Sequence, residues 1–152
     1  MLKAGSAVDV TLIAAPRSTK NGSGTRDPEM QSTQKGDNWY FGMKMHVGAD
    51  AESGLVHTVI GTATNVYEIS VTEALLHGEE TDVYADAGYQ CIEKRCETDA
   101  VRWHVAMRPA KRRKLDLSDS LDAIYDQIER LKAGIRAKVE TRFASSSDSS
   151  VT

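Results

Sequence analysis

A chain of 152 residues is long enough to bury one hydrophobic core and short for two ordinary domains. Its 40% hydrophobic and 27% charged residues match soluble globular proteins, which excludes a wholly disordered chain, and no apolar run approaches the roughly 20 residues needed to cross a bilayer. The net charge of -3 excludes an evenly basic nucleic-acid binder, yet Arg102 to Arg142 holds eleven Lys and Arg against six Asp and Glu, a local +5 that leaves -8 for the rest.

Val8 to Ile13 is a β-branched run whose alternation puts Val8, Val10 and Leu12 on one face and Asp9, Thr11 and Ile13 on the other, so it is predicted as the first strand. Ala14 to Asn38 is polar, carries Pro16, Gly22, Gly24, Pro28 and Gly36, and is predicted as a long loop, a candidate segment for touching substrate. Trp39 to Val47 alternates again, and Gly54 to Ala63 follows the turn-like Asp50-Ala51-Glu52-Ser53, which together predict a hairpin. Ile69, Val71, Thr72, Leu75 and Leu76 have helical spacing ahead of Gly78, the pattern of a short crossover helix. Thr81 to Asp86 and Val101 to Met107 read as the fourth and fifth strands, joined by a short helical link. A final helix is predicted from near Ser118-Asp119, with Leu121, Ile124, Ile128, Leu131, Ile135 and Val139 as its core-facing stripe.

Three antiparallel strands, a crossover helix, further strands and a closing helix make the element order of an α/β, ribonuclease H-like mixed sheet. A right-handed crossover makes the fourth strand a parallel neighbour of the first. The domain is expected over residues 1–143. Residues 144–152 are rich in serine and are expected to form a disordered tail. The start at Met1-Leu2-Lys3 lacks a signal peptide's apolar segment, so a cytoplasmic protein is expected, with Cys91 and Cys96 as free thiols and no second Cys or His pair to complete a zinc tetrad around them.

Three acids far apart in sequence can meet in such a fold: Asp9 within the first strand, Asp86 at the carboxyl end of the fourth, and Glu140 at the margin of the final helix's apolar stripe. A carboxylate in an otherwise apolar strand is costly to bury unless a metal or a partner compensates it. Three clustered carboxylates repel, by about 1 kcal/mol per pair at 4 Å in water and about 4 at an effective dielectric of 20. Divalent cations resolve that repulsion and bring phosphodiester chemistry with them.

The words around these acids resemble those of DDE-type insertion-sequence transposases, in the branch named for insertion sequence five within the insertion-sequence-four-like superfamily. Val8-Asp9-Val10-Thr11-Leu12-Ile13 resembles their first-aspartate strand, Tyr84-Ala85-Asp86-Ala87-Gly88-Tyr89 their second-aspartate motif, and Ile135-Arg136-Ala137-Lys138-Val139-Glu140 the helix bearing their glutamate. Arg26 to Met30, Trp39 to His46 and Ala106 to Arg113 are similar as well, so the likeness runs from about Leu2 to Phe143. The resemblance implies that Asp9, Asp86 and Glu140 are the catalytic, metal-binding triad and that two Mg²⁺ (or Mn²⁺) ions are the cofactors. The implied reaction is DNA strand cleavage followed by strand transfer. DNA is the implied partner, with no membrane, and a second copy or an intact transposase as a protein partner.

Around that core the residues keep two readings each. Arg136, one turn before Glu140, either orients that carboxylate, binds DNA phosphate, or makes an ordinary surface pair with it. Lys111, Arg112, Arg113 and Lys114 track a DNA backbone or form a solvated basic loop. His46 and Lys44 share a strand face with Tyr40, where a surface histidine satisfied by its neighbours stands against a substrate role; Trp39 and Trp103 are expected as core or rim aromatics. The family's glutamate helix carries a lysine seven positions on, where this chain has Ser147, and the likeness begins almost at Met1. The chain is therefore expected to be truncated at both ends and impaired as an enzyme. The alternatives are a degenerate, non-catalytic copy that binds DNA or regulates, and a structural α/β domain whose acids are unrelated surface groups.

Overall fold

A six-stranded mixed sheet organises the chain, described by a computed structural model for residues 4–15, 30–94 and 100–148. β1 (Gly5–Ala14) is its centre. On one side β3 (Asn38–Asp50) runs antiparallel from Ser6↔Asp50 to Ala14↔Gly42. On the other, β5 (Asp82–Ala85) runs parallel from Gly5↔Asp82 to Ala7↔Tyr84, and β6 (Arg102–Val105) continues the parallel half. The outer side of β3 carries two partners end to end, β2 (Gln31–Lys35) and then β4 (Val56–Ala63). Setting β2 aside, the order β4-β3-β1-β5-β6 is the expected ribonuclease H-like arrangement, with the predicted parallel neighbours in place.

Side-chain alternation gives the sheet two buried faces. Val8, Val83, Ala85 and Trp103 point one way and pack with Leu75, Tyr89 and Ile92. Leu75 belongs to α1 (Thr72–Leu75), which with the 3₁₀ turn Glu68–Val71 forms the crossover. Ala7, Ala49 and Tyr84 point the other way and meet Val139 of α3 (Ser120–Asp148). The cap of α3 is Asp119, whose Oδ2 accepts from the amides of Leu121 and Asp122, both at 3.2 Å; Ser118 turns back to Asp116 instead. Among the described residues no helix is long and apolar enough to cross a membrane.

The structure corrects several expectations. The polar stretch before Trp39 is not loop throughout: β2 pairs with β3 through the two-residue turn Gly36-Asp37, glycine first, while residues 16–29 lie outside the described residues. β2 is an exposed polar edge strand, so it has no apolar alternation to reveal it. The basic run Lys111 to Lys114 is not a plain loop, because Pro109 starts a short helix, α2 (Pro109–Arg112), that absorbs its first half. His46 is fully buried rather than at the surface, and Trp39 is exposed while Trp103 is in the core. The α3 stripe faces the sheet only at its end: Val139 is 2% exposed, but Leu121, Ile124, Ile128 and Leu131 are 41 to 65% exposed. The α3 backbone runs to Asp148, as a started helix extends at little cost per residue; 149–152 lie outside the described residues.

Candidate active site

The register that joins β1 to β5 decides where the first two acids lie. Ala7 pairs with Tyr84 on the face that meets α3; Asp9 and Asp86 each lie two residues beyond that pair, and the Asp86 carboxylate acts on Asp9. Adjacent strands lie about 4.8 Å apart, so continuing that register brings the two carboxylates near one another. Val139 then presses the last turns of α3 onto Ala7, Ala49 and Tyr84, which sets Glu140, the next residue, at the same end.

Each acid is held differently. Asp86 follows the last residue of β5 and caps the 3₁₀ turn Ala87–Tyr89, its Oδ1 accepting from Gly88 N at 2.8 Å. A methyl on Gly88 would approach that oxygen to 3.0 Å, so the glycine in Asp86-Ala87-Gly88 gives the carboxylate its room. Asp9 Oδ1 accepts from Val10 N at 2.8 Å. Burial pushes the Asp9 carboxyl above the usual carboxylate range. The Val10 amide opposes this, Glu140 and Asp86 add to it by repulsion, and Arg136 offsets part of it. Glu140 is exposed.

The three acids thus share one electrostatic neighbourhood, and among the described residues Arg136 is the cation that acts on Asp9. Arg136 is half-buried, and its Nε has no hydrogen-bond partner among the described residues. The group is therefore short of positive charge, and its donors are carboxylate oxygens, the hard ligands that Mg²⁺ and Mn²⁺ prefer. A divalent metal fits.

The basic run is not assembled with the triad in the same way. Arg112 Nε binds Asp126 Oδ1 at 2.9 Å and ties α2 to α3, whereas Lys111, Arg113 and Lys114 are exposed. Lys44 and His46 lie on the opposite sheet face from Asp9, since they pair with Leu12 and Val10. Lys44 bonds Glu68 and the Val66 carbonyl, and His46 Nε2 lies 2.7 Å from Thr62 Oγ1, with its imidazole held below the usual range by burial and by Lys44. Both are structurally committed.

Sequence reasoning overlooked Tyr89 as an individual residue. Its phenol is fully buried and its Oη has no hydrogen-bond partner among the described residues; burial pushes its ionisation up, and the carboxylates of Asp86, Glu68 and Asp9 push it further. The signal was its place three residues after Asp86. A grouping of His57, His77 and Glu80 was missed as well, because only His77 and Glu80 are close in sequence.

No solved structure gives a significant match to the chain. The model of the transposase DDE domain family matches residues 2–148, nearly the whole length. Divalent-metal use and a DNA substrate go with that family in general. Match and fold agree, and the chain belongs to the transposase DDE domain family.

Proposed function

We propose that the chain is the catalytic domain of an insertion-sequence transposase of the insertion-sequence-five branch, cleaving DNA at element ends and joining the freed 3′ hydroxyl to target DNA. What supports this reading is that Asp86 and Glu140 both act electrostatically on the partly buried Asp9. These three residues would hold the metal. Two Mg²⁺ or Mn²⁺ ions bound there would supply activation of an attacking oxygen and charge stabilisation of a leaving one.

The chain's own residues do the positioning. The Gly88 amide fixes the Asp86 carboxylate, and the Val10 amide fixes that of Asp9. Arg136 offsets part of the repulsion that Glu140 and Asp86 exert on Asp9. Lys111, Arg113 and Lys114 offer exposed cations to phosphates, while Arg112 serves mainly to brace α2 through Asp126. Contacts of this kind position DNA without reading its sequence. We place the activity in the cytoplasm, where the exposed Cys91 stays reduced.

The test is nicking of supercoiled DNA in Mg²⁺ or Mn²⁺. Asp9→Asn, Asp86→Asn and Glu140→Gln are expected to reduce nicking to background with folding intact. Unchanged nicking in the two aspartate variants rejects the reading. Salt-sensitive DNA binding without any cleavage by the unaltered chain would instead establish a copy that binds and does not cut.

A further inference from the structure

On the sheet face opposite Asp9, and toward the start of β1 and β5, two imidazoles and a carboxylate converge. His57 stands on β4, while His77 and Glu80 stand in the turn between α1 and β5; one ligand atom from each lies within 4.8 Å of the others. Ser6 on β1 joins them, its Oγ lying 3.2 Å from His57 Nε2 and 3.2 Å from Glu80 Oε1. His77 Nε2 is 3.3 Å from the same carboxylate oxygen, and the two imidazoles meet edge to face with centroids 5.2 Å apart.

The grouping is built into the fold. A methyl on Gly48 of β3 would collide with the Leu75 carbonyl and come within 3.0 Å of His57 Cε1, so glycine there lets the turn after α1 lie down beside His57. Glu80 is buried, and the amides of His77 and Gly78 grip its two oxygens at 2.7 and 2.8 Å. His57 Nδ1 engages Thr58 Oγ1 at 2.8 Å, which orients the ring and leaves Nε2 toward the cluster. A partner on the outer nitrogen is how ligating histidines are commonly held.

We propose that His57, His77 and Glu80 bind one divalent transition-metal ion of the Zn²⁺ class, with Ser6 at its rim. Two imidazole nitrogens and a carboxylate oxygen are a common zinc donor set, with a further position for water. Nitrogen donors disfavour Mg²⁺, so this centre is chemically distinct from the all-carboxylate one on the other face. Ligation through His77 Nε2 places that ring's proton on Nδ1 and displaces the long 3.3 Å bond from Glu79 N. The ion would pin β4 and the turn before β5 together, adding stability without taking part in DNA cleavage.

Metal-stripped full-length protein titrated with Co²⁺, a coloured stand-in for Zn²⁺, provides the test. Expected are one equivalent with the intense absorption of a low-coordinate site, separate from any weakly absorbing ion at the carboxylates, displacement of that equivalent by Zn²⁺ but not by millimolar Mg²⁺, and a melting temperature raised by Zn²⁺. His57→Gln and His77→Gln should each weaken binding at least about tenfold, and Asp9→Asn should leave it unchanged. In unaltered protein, Zn²⁺ should shift the ring-nitrogen NMR signals of His57 and His77 and spare those of His46 and His104, a readout that needs no variant to fold. Failure of the unaltered chain to bind Co²⁺ or Zn²⁺ overturns the proposal and leaves a metal-free hydrogen-bonded clamp. Full binding by both histidine variants, or shifts confined to His46 and His104, overturns it equally.

Discussion

The two halves of α3 dock by opposite means. Its later half uses Val139, packed on Ala7, Ala49 and Tyr84, and so carries Glu140 toward Asp9. Its earlier half docks through polar groups. Glu129, 6% exposed, accepts from Met107 N at 2.8 Å and from Lys132 Nζ at 2.9 Å; Lys132 also donates to the Val105 carbonyl, and Asp126 holds both Arg112 and Arg130. The apolar residues of that half point outward. An apolar stripe at helical spacing therefore specifies that a face exists, and the register of polar bonds beneath the helix specifies which way it turns.

Removing the packing that holds the later half should have the largest effect. Val139→Ala is expected to cost about 2 kcal/mol by denaturant melt and to lower nicking by more than the unfolded fraction explains, because Glu140 loses its anchor. If nicking tracks stability alone, the anchor has no bearing on the acids. Next, Glu129→Gln keeps the shape of the polar dock but removes its charge, which should cost about 1 kcal/mol and leave residual nicking unchanged. A loss as large as that of Val139→Ala would erase the contrast between the halves.

A third, pH-dependent effect lies beneath the later half. The Asp9 carboxyl is raised in the folded chain, chiefly by burial, so the folded state holds this proton to higher pH than the unfolded state. Stability from this group falls as pH rises from the ordinary aspartate value through the raised one. Asp9→Asn should accordingly melt higher than the unaltered chain at neutral pH without metal, and lose that advantage in acid. Added Mg²⁺ should stabilise only the unaltered chain; an equal metal response in Asp9→Asn would separate Asp9 from any metal site. The smallest change is expected at the outward stripe, where Leu131→Ser should fall within about 0.5 kcal/mol. A clear destabilisation there would mean that the face is covered.

The main strands of the sheet were legible in the sequence because each rests on a local pattern. Val8 to Ile13 alternates around Asp9, and Asp86 precedes a glycine at a strand end. What stayed hidden depends on relations between segments. Nothing near Leu121 or Ile128 says that Glu129 will be the buried residue, since the Met107 amide that it accepts from, and the Val105 carbonyl that its neighbour Lys132 donates to, lie more than twenty positions away. The burial of His46 likewise follows from its place over Val10 and beside Thr62. His57 and Glu80 come together because Gly48 lets the turn after α1 lie beside β4, a packing relation without a sequence signature.

β2 carries a last consequence. An outer strand exposes main-chain amides and carbonyls that invite another molecule to add its own strand, and long apolar edges are where sheets begin to aggregate. Gln31-Ser32-Thr33-Gln34-Lys35 is short, wholly polar and ends on a lysine beside the turn. Such an intruding strand would find no greasy side chain to bury there and would meet a positive charge. The composition that conceals this strand from a hydrophobic pattern is also what guards the molecule against stacking on its neighbours.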